Sequence, residues 1–136
     1  MAGEGSPEDR LAIRELIEAY GDAVCQHDAD AWAALWCDDG IWEFPDIPSL
    51  GTIVGKQQIM PKWIEAMESL RGMVMLVTIG RIAVDGERAT ARSYISEAYP
   101  RGDQVGRDRG VFEDELVFRD GRWLFKKRTF RYLSRA

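Results

Sequence analysis

The 136 residues predict an α+β domain on three observations. Helical periodicity fills the first half, the apolar period changes to two at Met73, and turn-forming residues then divide the chain into four strand-length runs. Helices first and strands afterwards require a sheet that buries one face against the helices.

The first helix has a readable start. Ser6 is placed to cap it, Pro7 fits the first helical position, and Glu8 and Asp9 favour the positive end of the dipole. Ile13, Ile17, Tyr20 and Val24 recur at three and four residues, which carries an amphipathic helix to about His27. Asp28 can cap a second, shorter helix with Trp32, Leu35 and Trp36 on its apolar side, stopped by Asp38-Asp39-Gly40. A short strand over 41–44 ends in a loop between Pro45 and Pro48. A third helix is expected from Lys56 to about Leu70, with Pro61 in its first turn or at a break. Strands follow at about 73–84, 88–99, 110–119 and 122–133, parted by Asp85-Gly86, Arg101-Gly102-Asp103 and Asp120-Gly121. Residues 1–7 are expected to be a flexible start, and 8–136 one domain.

Composition narrows the function. The hydrophobic share is 46% and the charged share 30%, ordinary for a globular chain. There is no apolar run long enough to span a bilayer, so no membrane partner is expected. The acidic opening MAGEGSPEDR lacks the basic and apolar run of a secretion signal, and a cytoplasmic location is the expectation. Cys25 and Cys37 form no CxxC, and His27 is the one histidine, so neither a metal nor another cofactor is expected. The second half is the more basic, but its cations alternate with apolar residues at strand spacing, and no nucleic-acid partner is expected.

Alternation also sorts the candidate site residues. Ala89, Ala91, Ser93, Ile95 and Glu97 share a face whose small and apolar start argues that it points inward. Phe112, Asp114, Leu116 and Phe118 share one in the next strand, and Leu124, Lys126, Arg128 and Phe130 in the last. An Asp114–Arg128 pair across those strands follows, either organising the core or serving chemistry. Glu97 is either a solvated acid at the sheet end or a base. Tyr20 lies on the apolar helix stripe, as a satisfied core phenol or as a donor into a cavity. Cys25 has no base nearby and reads as a buried filler rather than a nucleophile, about 140° around the helix from Tyr20. His27 suits a cation at the helix C-terminus. Trp42 and Trp63, with Met60, Met67, Met73 and Met75, read as apolar wall and core.

The element order, with EDRLAIRELIEAY, DADAWAALWCDDGIWEF, VDGERATARSY and VFEDELVFRDGRWLFKKRTF, resembles the SnoaL-like branch of the NTF2-like superfamily over nearly the whole chain. Within it the motifs are most similar to those of hexachlorocyclohexane dehydrochlorinase, with scytalone and bile-acid dehydratases as more distant analogues. The resemblance implies a cone-shaped fold, its N-terminal helices packed in a strongly curved antiparallel sheet around a pocket, and a homo-oligomer, dimer or trimer. These relatives abstract a proton from carbon with an aspartate–histidine pair. Counting along the ungapped stretch puts the aspartate position at Cys25 and the histidine at or near Met75, so that pair does not carry over. Arg128 matches the arginine of the last strand, Phe112 a pocket phenylalanine, and Tyr20 a recurring tyrosine.

The expected function is a cofactor-independent lyase or isomerase acting on a small apolar cyclic or aromatic molecule, with Tyr20, Arg128, Asp114 and Glu97 as catalytic candidates. Cys25, Trp42, Trp63, Met67, Met75, Phe112 and Phe130 are the candidate ligand wall. The alternative is a noncatalytic binding protein that has lost the aspartate–histidine pair. In either case Arg128 is expected to be the polar anchor of the pocket.

Overall fold

Helix α1 (Pro7–Gln26) begins as its cap residues dictate: the Ser6 hydroxyl accepts from the Asp9 N–H at 3.0 Å. The computed structural model describes residues 5–135, so residues 1–4 of the flexible start expected over 1–7 lie outside the described residues. The helix buries Ile13, Leu16, Ile17, Tyr20 and Val24 along one stripe. It ends at His27, whose left-handed backbone (φ 53°) closes the last turn.

Helix α2 (Ala29–Ala33) is capped by Asp28, which accepts from the Ala31 N–H at 3.0 Å. Contrary to the sequence expectation, it stops before Trp36, which opens strand β1 (Trp36–Phe44). That strand runs through Asp38-Asp39-Gly40, the residues expected to break a helix. The reason is tertiary, because β1 lies parallel to the last strand, with Trp36 beside Phe125 and Trp42 beside Arg128, and a register irregularity absorbs the residues between. Strand β2 (Gly51–Val54), where the sequence predicts no element, pairs antiparallel with β1 from Ile41–Val54 to Phe44–Gly51. Helix α3 (Lys56–Glu68) carries Pro61 inside it rather than in its first turn, at the loss of one i→i−4 hydrogen bond.

Strands β3 (Val74–Asp85), β4 (Arg88–Arg101), β5 (Gln104–Arg119) and β6 (Arg122–Arg135) form the antiparallel succession that period-two alternation predicts. The β4–β5 hairpin is longer than expected. Gly102 at φ 63° makes a two-residue turn, so pairing starts at Arg101–Gln104 and residues 104–109 are strand. The six strands run in the order β2-β1-β6-β5-β4-β3, antiparallel except for the β1–β6 pair.

The sheet is curved and unclosed, with α1 packed against β3 and β6 in its concavity. Bulges fall near Gly80, near Gly110 and between Glu115 and Leu116. The last reverses the alternation of β6. Phe125 rather than Leu124 pairs with Leu116 and is wholly buried, while Arg128 and Phe130 beyond the bulge still face inward. The expected common face of Leu124, Lys126, Arg128 and Phe130 is corrected accordingly. No helix among the described residues is long and apolar enough to cross a membrane.

Gly110 leaves room for the Phe130 ring, into which a Cβ at that position would run. Gly110→Ala is expected to destabilise the protein by about 1–3 kcal/mol through this overpacking. Urea unfolding measures the difference, and an unchanged midpoint would show that the ring is free to move aside.

Candidate functional site

A cavity of about 140 Å³ opens where α1, α3 and β1 meet the concave sheet. Tyr20 and Val24 reach it from α1, Trp63 and Met67 from α3, and Trp42 and Phe44 from β1. The sheet contributes Met75, Glu97, Phe112, Phe130 and Tyr132. Of the expected wall residues, Trp42, Trp63, Met67, Met75, Phe112 and Phe130 are therefore present together, joined by Tyr20 and Glu97. Phe44 and Tyr132 were not singled out, although strand alternation from Trp42 and Phe130 signals both. Ile47 and Leu50 also line it, from a loop where no periodicity exists to announce them. A larger groove of about 380 Å³ lies elsewhere, at the β3–β4 and β5–β6 ends, and its lining includes the charged residues Asp85, Arg88, Glu115, Arg119 and Lys126. Two of these, Arg119 and Lys126, are neutralised by Asp39 at 3.2 and 2.7 Å, so the apolar cavity is the stronger candidate.

Among the described residues Glu97 is the one carboxylic acid on the cavity wall. Its strand position sets it between Met75 of β3 and Asp108 of β5. Burial removes water from the carboxyl and the nearby Asp108 charge opposes ionisation, which together push its pKa up to about 7. Asp108 is itself held by the Tyr99 hydroxyl, which donates to it at 3.1 Å.

Arg128 and Asp114 form the pair that alternation suggested, but away from the cavity wall. Arg128 Nε and Nη2 donate to the two Asp114 oxygens at 2.7 and 3.0 Å, and the residues are 1% and 3% exposed. Nη2 also lies 3.5 Å from the hydroxyl of fully buried Ser93. The guanidinium carbon sits 3.7 Å from the Phe112 ring centre, 4.2 Å from Phe125 and 4.3 Å from Tyr20. Neither residue lines the cavity, so the expectation of Arg128 as an anchor facing a ligand gives way to a cation enclosed by rings. Burial raises the proton affinity of Asp114 and the guanidinium opposes that shift.

Tyr20 is shared between the two environments, touching Arg128 on one side and the cavity on the other. Burial raises its pKa, more than the Arg128 charge and the nearby Trp32 indole lower it, and the phenol stays protonated. The Trp32 N–H nevertheless makes no hydrogen bond of good geometry. Trp32 stacks on Trp63 at 4.8 Å and meets Trp42 edge-on at 5.4 Å, fixing the cavity's aromatic floor.

Cys25 was expected in the ligand wall and lies outside it. Its sulfur accepts from the Met75 N–H at 3.3 Å and lies 3.8 Å from the Met75 carbonyl oxygen. Direction decides this: Cys25 faces the β3 backbone, whereas the Met75 side chain continues to the cavity. His27, expected to act as a helix-end cation, also has a specific contact, its Nε2 lying 3.3 Å from the Leu70 carbonyl. Among the described residues, no group of three or more His, Cys, Asp or Glu is placed to hold a metal ion.

Two variants test this division. Arg128→Met leaves Asp114 buried without its partner and is expected to cost about 3–5 kcal/mol of folding stability, much of it recovered by the double variant Arg128→Met/Asp114→Leu. Denaturant unfolding at neutral pH measures both, and a fully stable single variant would refute the structural role. Cys25→Ala loses only packing and weak sulfur contacts, so stability should drop by about 1–2 kcal/mol and cavity binding should stay within about tenfold of the parent. A folded variant that binds no cavity ligand would place Cys25 in the site after all.

Comparison with known proteins agrees with this architecture. The SnoaL-like domain model matches residues 6–129. No curated protein matches the chain. Among solved structures, a putative scytalone dehydratase from Novosphingobium aromaticivorans superposes with a TM-score of 0.83 at 23% identity, over 95% of this chain and 87% of the other. The hexachlorocyclohexane dehydrochlorinase LinA-type3 from Novosphingobium barchaimii gives 0.78 at 22% identity, over 96% and 93%. A protein of unknown function from Mycobacterium tuberculosis gives 0.80 at 25% identity, over 96% and 78%. Since that family model spans nearly the whole chain, the chain belongs to the SnoaL-like domain family.

Proposed function

We propose that this protein is a cofactor-independent lyase or isomerase that removes a carbon-bound proton from a small apolar cyclic or aromatic molecule, with Glu97 as the base. The observation that carries this reading is a carboxyl group on the wall of an apolar cavity, its pKa raised to about 7. A base with that affinity is partly ionised at neutral pH yet still binds a proton usefully. Tyr20, kept protonated by burial, is the hydrogen-bond donor to an oxygen or halogen that gains negative charge as the proton leaves. Arg128 acts only through the rings it supports, since Tyr20 and Phe112 rest on it and also line the cavity. The dehydratase and dehydrochlorinase names among the structural neighbours support the same class of reaction.

A second reading is favoured by one contact. Cys25 and Met75, where the resemblance sets the aspartate and histidine, touch each other here at 3.3 Å, so the two positions still meet but hold no base. On that reading the protein binds its ligand without transforming it.

Incubating the protein in D2O with halogenated and hydroxylated ring compounds separates the two, with mass spectrometry reporting elimination or hydrogen exchange. Glu97→Gln is expected to lower kcat/KM by about 10²–10⁴-fold, and the parent's kcat/KM should rise with pH through about 7 as Glu97 ionises. Compounds that bind but exchange no carbon-bound hydrogen would support the binding protein instead. The titration has a substrate-free signature as well. Because the folded-state pKa is raised from 4.5 to about 7, stability should fall as pH rises across that window, by at most about 3 kcal/mol. Glu97→Gln should remove this slope, and a parent whose stability is flat over the same range would contradict the raised affinity.

A further inference from the structure

The cavity wall carries an acid with no balancing base. Arg128 and Asp114 neutralise one another behind the wall, and among the described residues no lysine, arginine or histidine lines the space. Among the described residues Glu97 has neither an ion-pair partner nor a hydrogen-bond donor, and the charge that acts on it, Asp108, has its own sign. The groups that face it are Met75 from β3, Asp108 from β5, Tyr20 from α1 and Tyr99 on its own strand. None supplies a positive charge.

The rest of the wall is apolar, with aromatic rings from α1, α3, β1 and the sheet among aliphatic and methionine side chains. Trp42 and Phe44 meet at 4.6 Å, Phe44 and Phe130 at 6.3 Å, Phe112 and Phe130 at 5.3 Å, and Phe130 and Tyr132 at 4.9 Å, so a chain of ring contacts runs along one side of the cavity. The electron-rich faces of such rings attract cations, most strongly where water is excluded. The fold already uses this attraction once, seating the Arg128 guanidinium among three rings.

We propose that the cavity selects a small organic cation, a quaternary or protonated amine, whose positive group sits among Trp42, Phe44, Trp63 and Phe130 with Glu97 as its counter-ion. The proposal names the ligand class of the same cavity that the proposed function uses. It needs Glu97 only as an anion, so it stands or falls apart from catalysis. A cation resolves both features at once: it satisfies the unpaired carboxylate, and its apolar methyl or ring groups suit walls with no other charge. An anionic ligand would add a third negative charge beside Glu97 and Asp108.

The test uses choline and 3,3-dimethylbutan-1-ol, which have the same shape and differ in charge. Titration calorimetry and the fluorescence of the cavity tryptophans should show choline binding at least about tenfold more tightly than the alcohol. In Glu97→Gln the preference should shrink severalfold while the alcohol binds as before, which also shows that the variant is folded. In the parent near pH 7, choline should release protons as Glu97 ionises, detected as a buffer-dependent heat, and the alcohol should not. Equal binding of the two compounds by the parent, or an undiminished preference in Glu97→Gln, would overturn the proposal. Choline binding without any turnover would uphold it while removing the catalytic reading, and turnover of neutral rings without a cation preference would do the reverse.

Discussion

The Arg128–Asp114 pair is the constraint on which the interior depends. Two charges taken out of water are tolerable only when their geometry is close to ideal and the remaining surfaces are covered. Both carboxylate oxygens are taken by the guanidinium, and Tyr20, Phe112 and Phe125 pack around its carbon. These rings come from α1, β5 and β6, so the pair fixes the helix against the sheet as well as two strands to each other. The bulge of β6 makes this possible. Without the extra residue near Lys126, strict alternation would turn Phe125 away from the face that Arg128 occupies.

A sealed cation has consequences for the neighbouring cavity. Tyr20 and Phe112 form a partition with Arg128 behind it and open space in front, so the strongest charges in the core do not face a ligand. Polar chemistry in the cavity falls to Glu97 and the phenols. An apolar wall raises the proton affinity of a carboxyl, and Asp108 raises it further, which gives one acid a near-neutral pKa without any histidine. In this chain the Cys25–Met75 contact occupies the place where the family resemblance implies an ionisable pair, and there it contributes packing between α1 and β3.

Family membership fixes the scaffold and leaves the chemistry to individual side chains. Tryptophans set the shape of this cavity. Trp32 contacts both Trp42 and Trp63, and Trp32 and Trp42 bury indole N–H groups that find no partner among the described residues. Leaving such donors unpaired costs about 1–3 kcal/mol each, which the extensive ring contacts must offset.

By itself the sequence determined the helix caps, the hairpin turns, the period change at Met73 and the inward direction of Glu97, Phe112 and Phe130. These are local: a hydroxyl reaching an N–H three residues on, a glycine accepting positive φ, and side chains alternating along a strand. The cross-strand facing of Asp114 and Arg128 was legible for the same reason. Only the tertiary structure decided that Trp36 starts a strand, because its partner in β6 lies far along the chain, and that residues 51–54 pair with β1. It also decided which inward residues reach the cavity. Alternation gives a direction but no depth, so it could not separate Glu97, on the wall, from Arg128, closed off behind Tyr20 and Phe112, nor turn Cys25 toward the backbone of β3.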